Sequence, residues 1–136
     1  MRRVALTMAI FLVIAPVSLT AQTGERPDSA KALRGSQAFR VYCGSCHGRE
    51  AKGDGPLAAD LHVKPANLTE LSKRNGGTFP FDMVIETIEH GRKVRGHGSE
   101  EMPAWGDAFE MTEQTQEAAR AKMDELAHFL WSIQVQ

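Results

Sequence analysis

The chain has 136 residues, of which 42% are hydrophobic and 24% are charged, and its formal net charge is −1. This length fits one compact domain of ordinary size, with no sign of a second domain. The near balance of 16 basic and 17 acidic residues argues against a nucleic-acid partner.

The amino terminus has the pattern of an export signal. Arg2 and Arg3 precede an apolar run over residues 4–17, and Ser18-Leu19-Thr20-Ala21 follows. The pattern predicts a signal peptide at residues 1–21, a flexible polar lead-in at 22–30 and a domain at 31–136, located in the periplasm. The apolar run is shorter than the roughly 20 residues of a membrane span. Membrane attachment is therefore expected only if the leader stays uncleaved.

The first predicted helix runs from about Ser29 into a cysteine motif. Apolar and small residues recur at helical spacing through Phe39 and Tyr42 up to Cys43. Cys43, Cys46 and His47 then form the Cys-x-x-Cys-His pattern of covalent haem attachment. Two thiols at this spacing suit the two vinyl groups on one porphyrin edge, and the adjacent imidazole can reach the iron. At positions i, i+3 and i+4 of a helix, all three side chains share one face.

Two other kinds of site compete with haem at these cysteines. A Cys-Gly-Ser-Cys redox disulfide, as in thioredoxin-like enzymes, requires a preceding strand and a parallel sheet, and neither is predicted. A structural zinc site requires four ligands, whereas the remaining histidines are scattered along the chain. The motif together with the export signal favours haem attachment outside the cytoplasm.

Loops and two further helices are predicted after the motif. Turn-forming residues around Pro56 and at the Lys64-Pro65 step indicate a long loop. Asp82 is a candidate cap for a short helix that Gly91 ends. Thr112 is a candidate cap for a last helix that reaches about Ile133. No convincing alternating strand pattern occurs, so the sequence predicts an all-α protein.

Taken in order, these elements resemble the class I cytochrome c family, in its bacterial monohaem branch. The resemblance covers Gly35 to Ile133. Its matching segments are Gly35 and Phe39, the Cys43 to His47 motif, Gly55-Pro56, Met102-Pro103-Ala104-Trp105, and Phe129-Leu130-Trp131-Ser132-Ile133. The resemblance implies a small fold of about four helices, with long loops wrapped around one covalently bound haem c per chain.

The resemblance also implies roles for individual residues. Gly35 would let the last helix cross closely over the first, with Phe39 and Phe129 wedged alongside. The carbonyl of Pro56 would accept the second ring hydrogen of His47 and so fix the orientation of the haem-bound imidazole. His47 and Met102 would be the two axial iron ligands.

The sixth ligand has rivals in the sequence. Met83, Met111 and Met123 are assigned to packing, because they lie on or beside predicted helices. His97, five residues before Met102 on the same loop, is the alternative, and two histidine ligands would lower the reduction potential.

With both axial positions filled, the resemblance implies electron transfer rather than catalysis. No independent catalytic constellation accompanies the haem motif. We expect a single-electron carrier between a donor and an acceptor redox protein, monomeric when free. The alternative is a dedicated haem c subunit of an exported dehydrogenase or oxidase complex.

Overall fold

A computed structural model of the protein describes residues 26–91 and 102–135. Within these ranges the chain is helical and contains no strand, which confirms the all-α prediction. The helices are α1 (Ser29–Tyr42), α2 (Gly44–His47), a 3-10 turn (Leu68–Glu70), α3 (Leu71–Arg74), α4 (Phe81–His90), α5 (Gly106–Glu113) and α6 (Gln116–Ser132). The structure has more helices than the four that the resemblance implies, because short helices of about one turn, such as α2 and α3, are counted with the longer ones. The predicted signal peptide at 1–21 lies outside the described residues.

Helix α1 begins at Ser29, as its sequence pattern predicts. The side chain of Asp28 caps the helix by accepting a hydrogen bond from the Lys31 backbone N–H at 2.9 Å. The Asp28 backbone N–H donates in turn to Nδ1 of His128 on α6, at 3.0 Å. Residues 28–30, placed by the sequence in a flexible lead-in, therefore belong to the folded domain.

The crossing of α1 and α6 is the most extensive helix contact in the described chain. Gly35 is buried there, and a Cβ added to it would lie 2.5 Å from the Glu125 carbonyl carbon and 2.9 Å from Cβ of Phe129. The rings of Phe39 and Phe129 pack beside this point, with their centroids 5.1 Å apart. The predicted close crossing is confirmed.

The carboxyl-terminal region contains two helices where one was predicted. Gln114 adopts a left-handed conformation (φ 64°), which ends α5. Thr115 then caps α6, since its hydroxyl accepts a hydrogen bond from the Ala118 N–H at 3.1 Å. Thr112, the predicted cap, instead lies within α5 and bonds back to the carbonyl of Ala108. The prediction for Thr112 is wrong by three residues.

Helix α4 follows its prediction at one end only. Gly91 ends the helix with φ 70°, as expected. Asp82 lies in the first turn rather than at the cap, which is Pro80, and no side-chain hydrogen bond caps this end. A carboxylate in the first turn still interacts favourably with the helix dipole.

The core lies between α6 and the helices that surround it. Its fully buried large side chains are Phe39, Phe109, Met123 and Leu126. Val84 and Ile88 pack into the same cluster from α4. Cys43 and Tyr42 lie at its edge, so the cysteine motif is held directly against the core.

Candidate functional site: a cysteine and histidine motif beside the core

The two cysteines and His47 lie on a nearly continuous helical path. The Cys43 N–H donates to the Phe39 carbonyl, and the His47 N–H donates to the Cys43 carbonyl, each at 2.9 Å. These bonds continue the i to i−4 pattern of α1 through Cys43 into α2. The three side chains at positions i, i+3 and i+4 therefore share one helix face, as the spacing predicts.

Both cysteines are free thiols in the structure, and both are half-buried. Burial raises the pKa of the Cys43 thiol to about 12, and the neighbouring Cys46 adds to this rise. A thiol-disulfide enzyme needs the opposite, because a lowered pKa keeps its attacking cysteine as a thiolate. The described chain also lacks the strands on which such an enzyme is built. The redox-disulfide alternative is thus disfavoured by the cysteine environment and by the fold.

The imidazole of His47 is held by a backbone carbonyl. Its Nδ1 lies 3.1 Å from the carbonyl oxygen of Ala66. A carbonyl can only accept, so this contact assigns the ring hydrogen to Nδ1. Burial lowers the pKa of His47, opposed in part by the bond to Ala66, and the ring is therefore neutral at pH 7. The lone pair is then on Nε2, the arrangement that a metal-binding histidine requires.

The acceptor was predicted to be the carbonyl of Pro56, and this prediction is wrong. Pro56 is exposed, and the preceding Gly55 N–H donates to the Cys46 carbonyl at 3.1 Å. The next N–H, of Leu57, donates to the Ser45 carbonyl at 2.9 Å. Residues 55–57 thus secure the backbone of α2 rather than the ring of His47.

A tight loop brings Ala66 to His47. The Gly53 N–H donates to the His47 carbonyl at 2.8 Å, and Gly53 has φ 81°, a conformation that favours glycine. A Cβ at Gly53 would overlap the carbonyl oxygen of Pro65. The Leu68 N–H donates to the carbonyl of the buried Ala51 at 2.7 Å. These contacts fix both sides of Ala66, and so fix the carbonyl that orients the imidazole.

The loop of Met102 is attached to α4 and to the aromatic residues beside Cys43. Met102 is half-buried, and its carbonyl oxygen would lie 3.0 Å from a Cβ at Gly91. The Trp105 N–H donates to the Ile88 carbonyl at 2.8 Å. The Trp105 ring contacts the Tyr42 ring edge-on, with centroids 5.5 Å apart. Tyr42 precedes Cys43, so this contact brings the Met102 loop to the end of α1 that carries the motif.

The other methionines fall into two groups. Met123 is 2% exposed and belongs to the core, as predicted. Met83 and Met111 are 54% and 79% exposed, so their assignment to packing is wrong. Both lie on helix faces that point away from the core. His97, the rival ligand, lies outside the described residues.

The described ranges contain no metal-binding cluster and no membrane-spanning helix. They contain no group of three or more His, Cys, Asp or Glu side chains that could hold a metal ion without a cofactor. None of the described helices has the length and apolar character needed to traverse a bilayer.

Comparison with known proteins gives one family. Residues 30–121, well over half of the chain, match the family described as cytochrome C oxidase, cbb3-type, subunit III. Neither the curated proteins nor the solved structures include a significant match. The matched region contains the cysteine motif, the Ala66 loop and Met102.

Proposed function

Since the chain belongs to the cytochrome c oxidase cbb3-type subunit III family, we propose that it is an exported monohaem c-type cytochrome that carries single electrons between redox proteins. The family establishes a cytochrome c domain, and such a domain binds haem c and carries electrons without being an enzyme by itself. This agrees with the resemblance to class I cytochromes c drawn from the sequence. The ligands, the covalent attachment, the compartment and the partners belong to the proposal.

The observation that carries the proposal is the state of His47. Its Nδ1–H is engaged by the Ala66 carbonyl, and no hydrogen bond within the described ranges reaches Nε2. Two free thiols lie on the same helix face, one and four residues before it. Thiols that add to the porphyrin and an imidazole that binds its iron are the donor set that haem c requires. The residues present therefore fit the group that the family implies.

When bound, haem c supplies an iron that alternates between the ferrous and ferric states. In this proposal Cys43 and Cys46 would hold the porphyrin covalently, and His47 and Met102 would bind its iron. The Ala66 carbonyl keeps the imidazole in one orientation and increases its basicity. The contacts of Trp105 with Ile88 and Tyr42 limit the freedom of the Met102 loop.

Export to the periplasm completes the proposal. The leader pattern at residues 1–21 supports it, and covalent haem attachment takes place outside the cytoplasm. The expected partners are a donor and an acceptor redox protein, with no nucleic acid. The protein would be monomeric when free, and attached to a membrane only if the leader is retained.

Attachment is tested by haem stain after denaturing electrophoresis of the periplasmic protein. The parent chain should retain haem, and the double variant Cys43→Ala, Cys46→Ala should lose it. Ser45→Ala, between the two cysteines, is the matched control and should retain it. Recovery of intact exported chain without haem, and with a disulfide between the two cysteines, would overturn the proposal.

The second candidate is a dedicated haem c subunit of an exported oxidase or dehydrogenase complex. The family itself favours it, because its description is that of an oxidase subunit. Purification from the native host under mild conditions separates the two candidates. A free carrier elutes as a monomer, whereas a subunit elutes with other polypeptides and with their oxidase or dehydrogenase activity.

A further inference from the structure

A groove on the surface beside α2 has features that the proposed function does not use. It has a volume of about 410 Å³ and is lined by Arg40, Gly44, Ser45, Arg49 and Pro56. Arg40 and Gly44 are four residues apart along the α1 to α2 path, so they lie on one face. The hydroxyl of Ser45 lies 4.0 Å from Sγ of Cys46. The groove thus reaches to within one side chain of a cysteine that holds haem in the proposal.

The two arginines of this groove have no partner in the described chain. Both are exposed, and no ion pair in the described ranges reaches either guanidinium. The carboxylate next to Arg49, that of Glu50, is paired with Lys52 at 2.5 Å. The carboxylate of Asp54 lies beside Gly48 and forms no ion pair with either arginine in the described ranges. The groove therefore presents two arginines without an ion-pair partner in the described ranges, on a chain whose net charge is −1.

Exposed apolar side chains flank the same groove. Val41 is 73% exposed and lies one helical turn before Ser45. Leu57 is 47% exposed, and its backbone N–H is bonded to the Ser45 carbonyl. Protein interfaces combine exposed apolar groups with arginine, which pairs with carboxylates through two parallel hydrogen bonds. This composition suits a protein surface better than it suits a small inorganic anion.

We propose that this groove, the Arg40–Arg49 groove, is the docking surface for an acidic protein redox partner whose carboxylates pair with the two arginines. The inference rests on the proposed function, because it makes the Cys46 side of the domain the side from which the partner approaches. Docking there brings the partner next to a haem-holding sulfur. Local charge, rather than the slightly acidic whole chain, then determines which partners bind.

Docking is tested with oxidised flavodoxin, a small acidic electron-transfer protein, as the probe. It is titrated at low ionic strength into the isotopically labelled, haem-loaded protein, and backbone amide shifts are followed by NMR. The amides of Gly44, Ser45 and Leu57 should shift most. The double variant Arg40→Gln, Arg49→Gln should weaken binding by roughly 5- to 10-fold, because both attractive charges are lost.

Two variants distinguish docking of a protein in the groove from an effect of net charge and from simple anion binding. Arg26→Gln, Arg120→Gln removes the same charge from two exposed arginines outside the groove and should change binding by less than about twofold. Gly44→Phe fills the groove without touching its charges. A Cβ at Gly44 meets only the Phe39 carbonyl oxygen, at 3.7 Å, so the variant should fold. Its binding should weaken like that of the Arg40, Arg49 variant.

Equal weakening by the two arginine pairs would reduce the effect to net charge and overturn the inference. Unchanged binding of Gly44→Phe would do the same, because the groove would then attract anions without seating a protein. The visible spectrum of each variant is recorded first. A parent protein without haem refutes the proposed function and the inference with it, whereas haem-loaded variants that bind like the haem-loaded parent refute the inference alone.

Discussion

The close crossing of α1 and α6 makes a strong prediction for Gly35→Ala. The added methyl would lie 2.5 Å from the Glu125 carbonyl carbon, whereas carbon atoms in contact are normally about 3.5 to 4.0 Å apart. The helices would have to separate by about 1 Å to restore a normal contact. Backbone cannot rotate away as a side chain can, so the cost should fall at the upper end of the ~1 to 3 kcal/mol of overpacking.

An opposing effect reduces this cost. Alanine is favoured over glycine inside a helix by about 1 kcal/mol, which leaves a net loss of about 2 kcal/mol. For a domain of this size that corresponds to a fall of roughly 6 to 12 °C in Tm. Thermal unfolding of the haem-loaded protein, followed by circular dichroism at a helical wavelength, measures it.

The matched control is Gly44→Ala, where the new methyl meets only the Phe39 carbonyl oxygen at 3.7 Å. This variant should be as stable as the parent or slightly more stable, since it gains helix propensity without a clash. If Gly35→Ala melts at or above the parent temperature, the two helices do not approach as closely as the structure shows, and the reasoning fails.

Three further predictions concern the methionines and the loop of His47. Met123→Ala should lower the free energy of unfolding by ~2 to 5 kcal/mol, as is typical for truncation of a buried methionine. Met111→Ala, at an exposed site, should change the free energy of unfolding by less than about 0.5 kcal/mol. Equal midpoints of the two variants in chemical denaturation would contradict this prediction. Met102→Ala should abolish the weak long-wavelength absorption of the oxidised haem protein, admit carbon monoxide to the reduced protein and leave the haem attached. Survival of the band in this variant would exclude Met102 as the ligand. Gly53→Ala should displace Pro65 and with it the Ala66 carbonyl, so the reduction potential should rise as the imidazole becomes less basic. An unchanged potential, measured by redox titration, would show that the bond to Ala66 does not tune the iron.

Short sequence patterns correctly predicted those structural features that depend only on neighbouring residues. The Cys43 to His47 spacing placed three side chains on one helix face, and Gly91 marked the end of α4. The close contact at Gly35 came from the family resemblance, and the structure bears it out. The break between α5 and α6 was missed because Thr112 and Thr115 are equally good caps on sequence alone. The left-handed Gln114 decides between them, and glutamine carries no signal for that conformation.

The acceptor for His47 depends on tertiary structure and could not be read from spacing. Two proline-containing turns follow the motif, and each offers carbonyls at a plausible distance along the chain. The contact between Gly53 and Pro65 selects the second turn. The nearest sequence signal was Asn67, whose side chain accepts from the Thr69 N–H at 3.0 Å and so starts the next turn directly after Ala66. The exposure of Met83 and Met111 likewise depends on which helix faces meet α6.

The pairing of α1 with α6 also joins the two ends of the described chain. The bond from Asp28 to His128 joins residues 100 positions apart, and the glycine contact spans a similar separation. Contacts of such high contact order form late, because a long loop must close before they contribute. During synthesis from the amino terminus, the thiol-bearing turn emerges well before the helix that completes its core. The helix that leads into Cys43 and Cys46 therefore lacks its main packing partner until α6 has been synthesised.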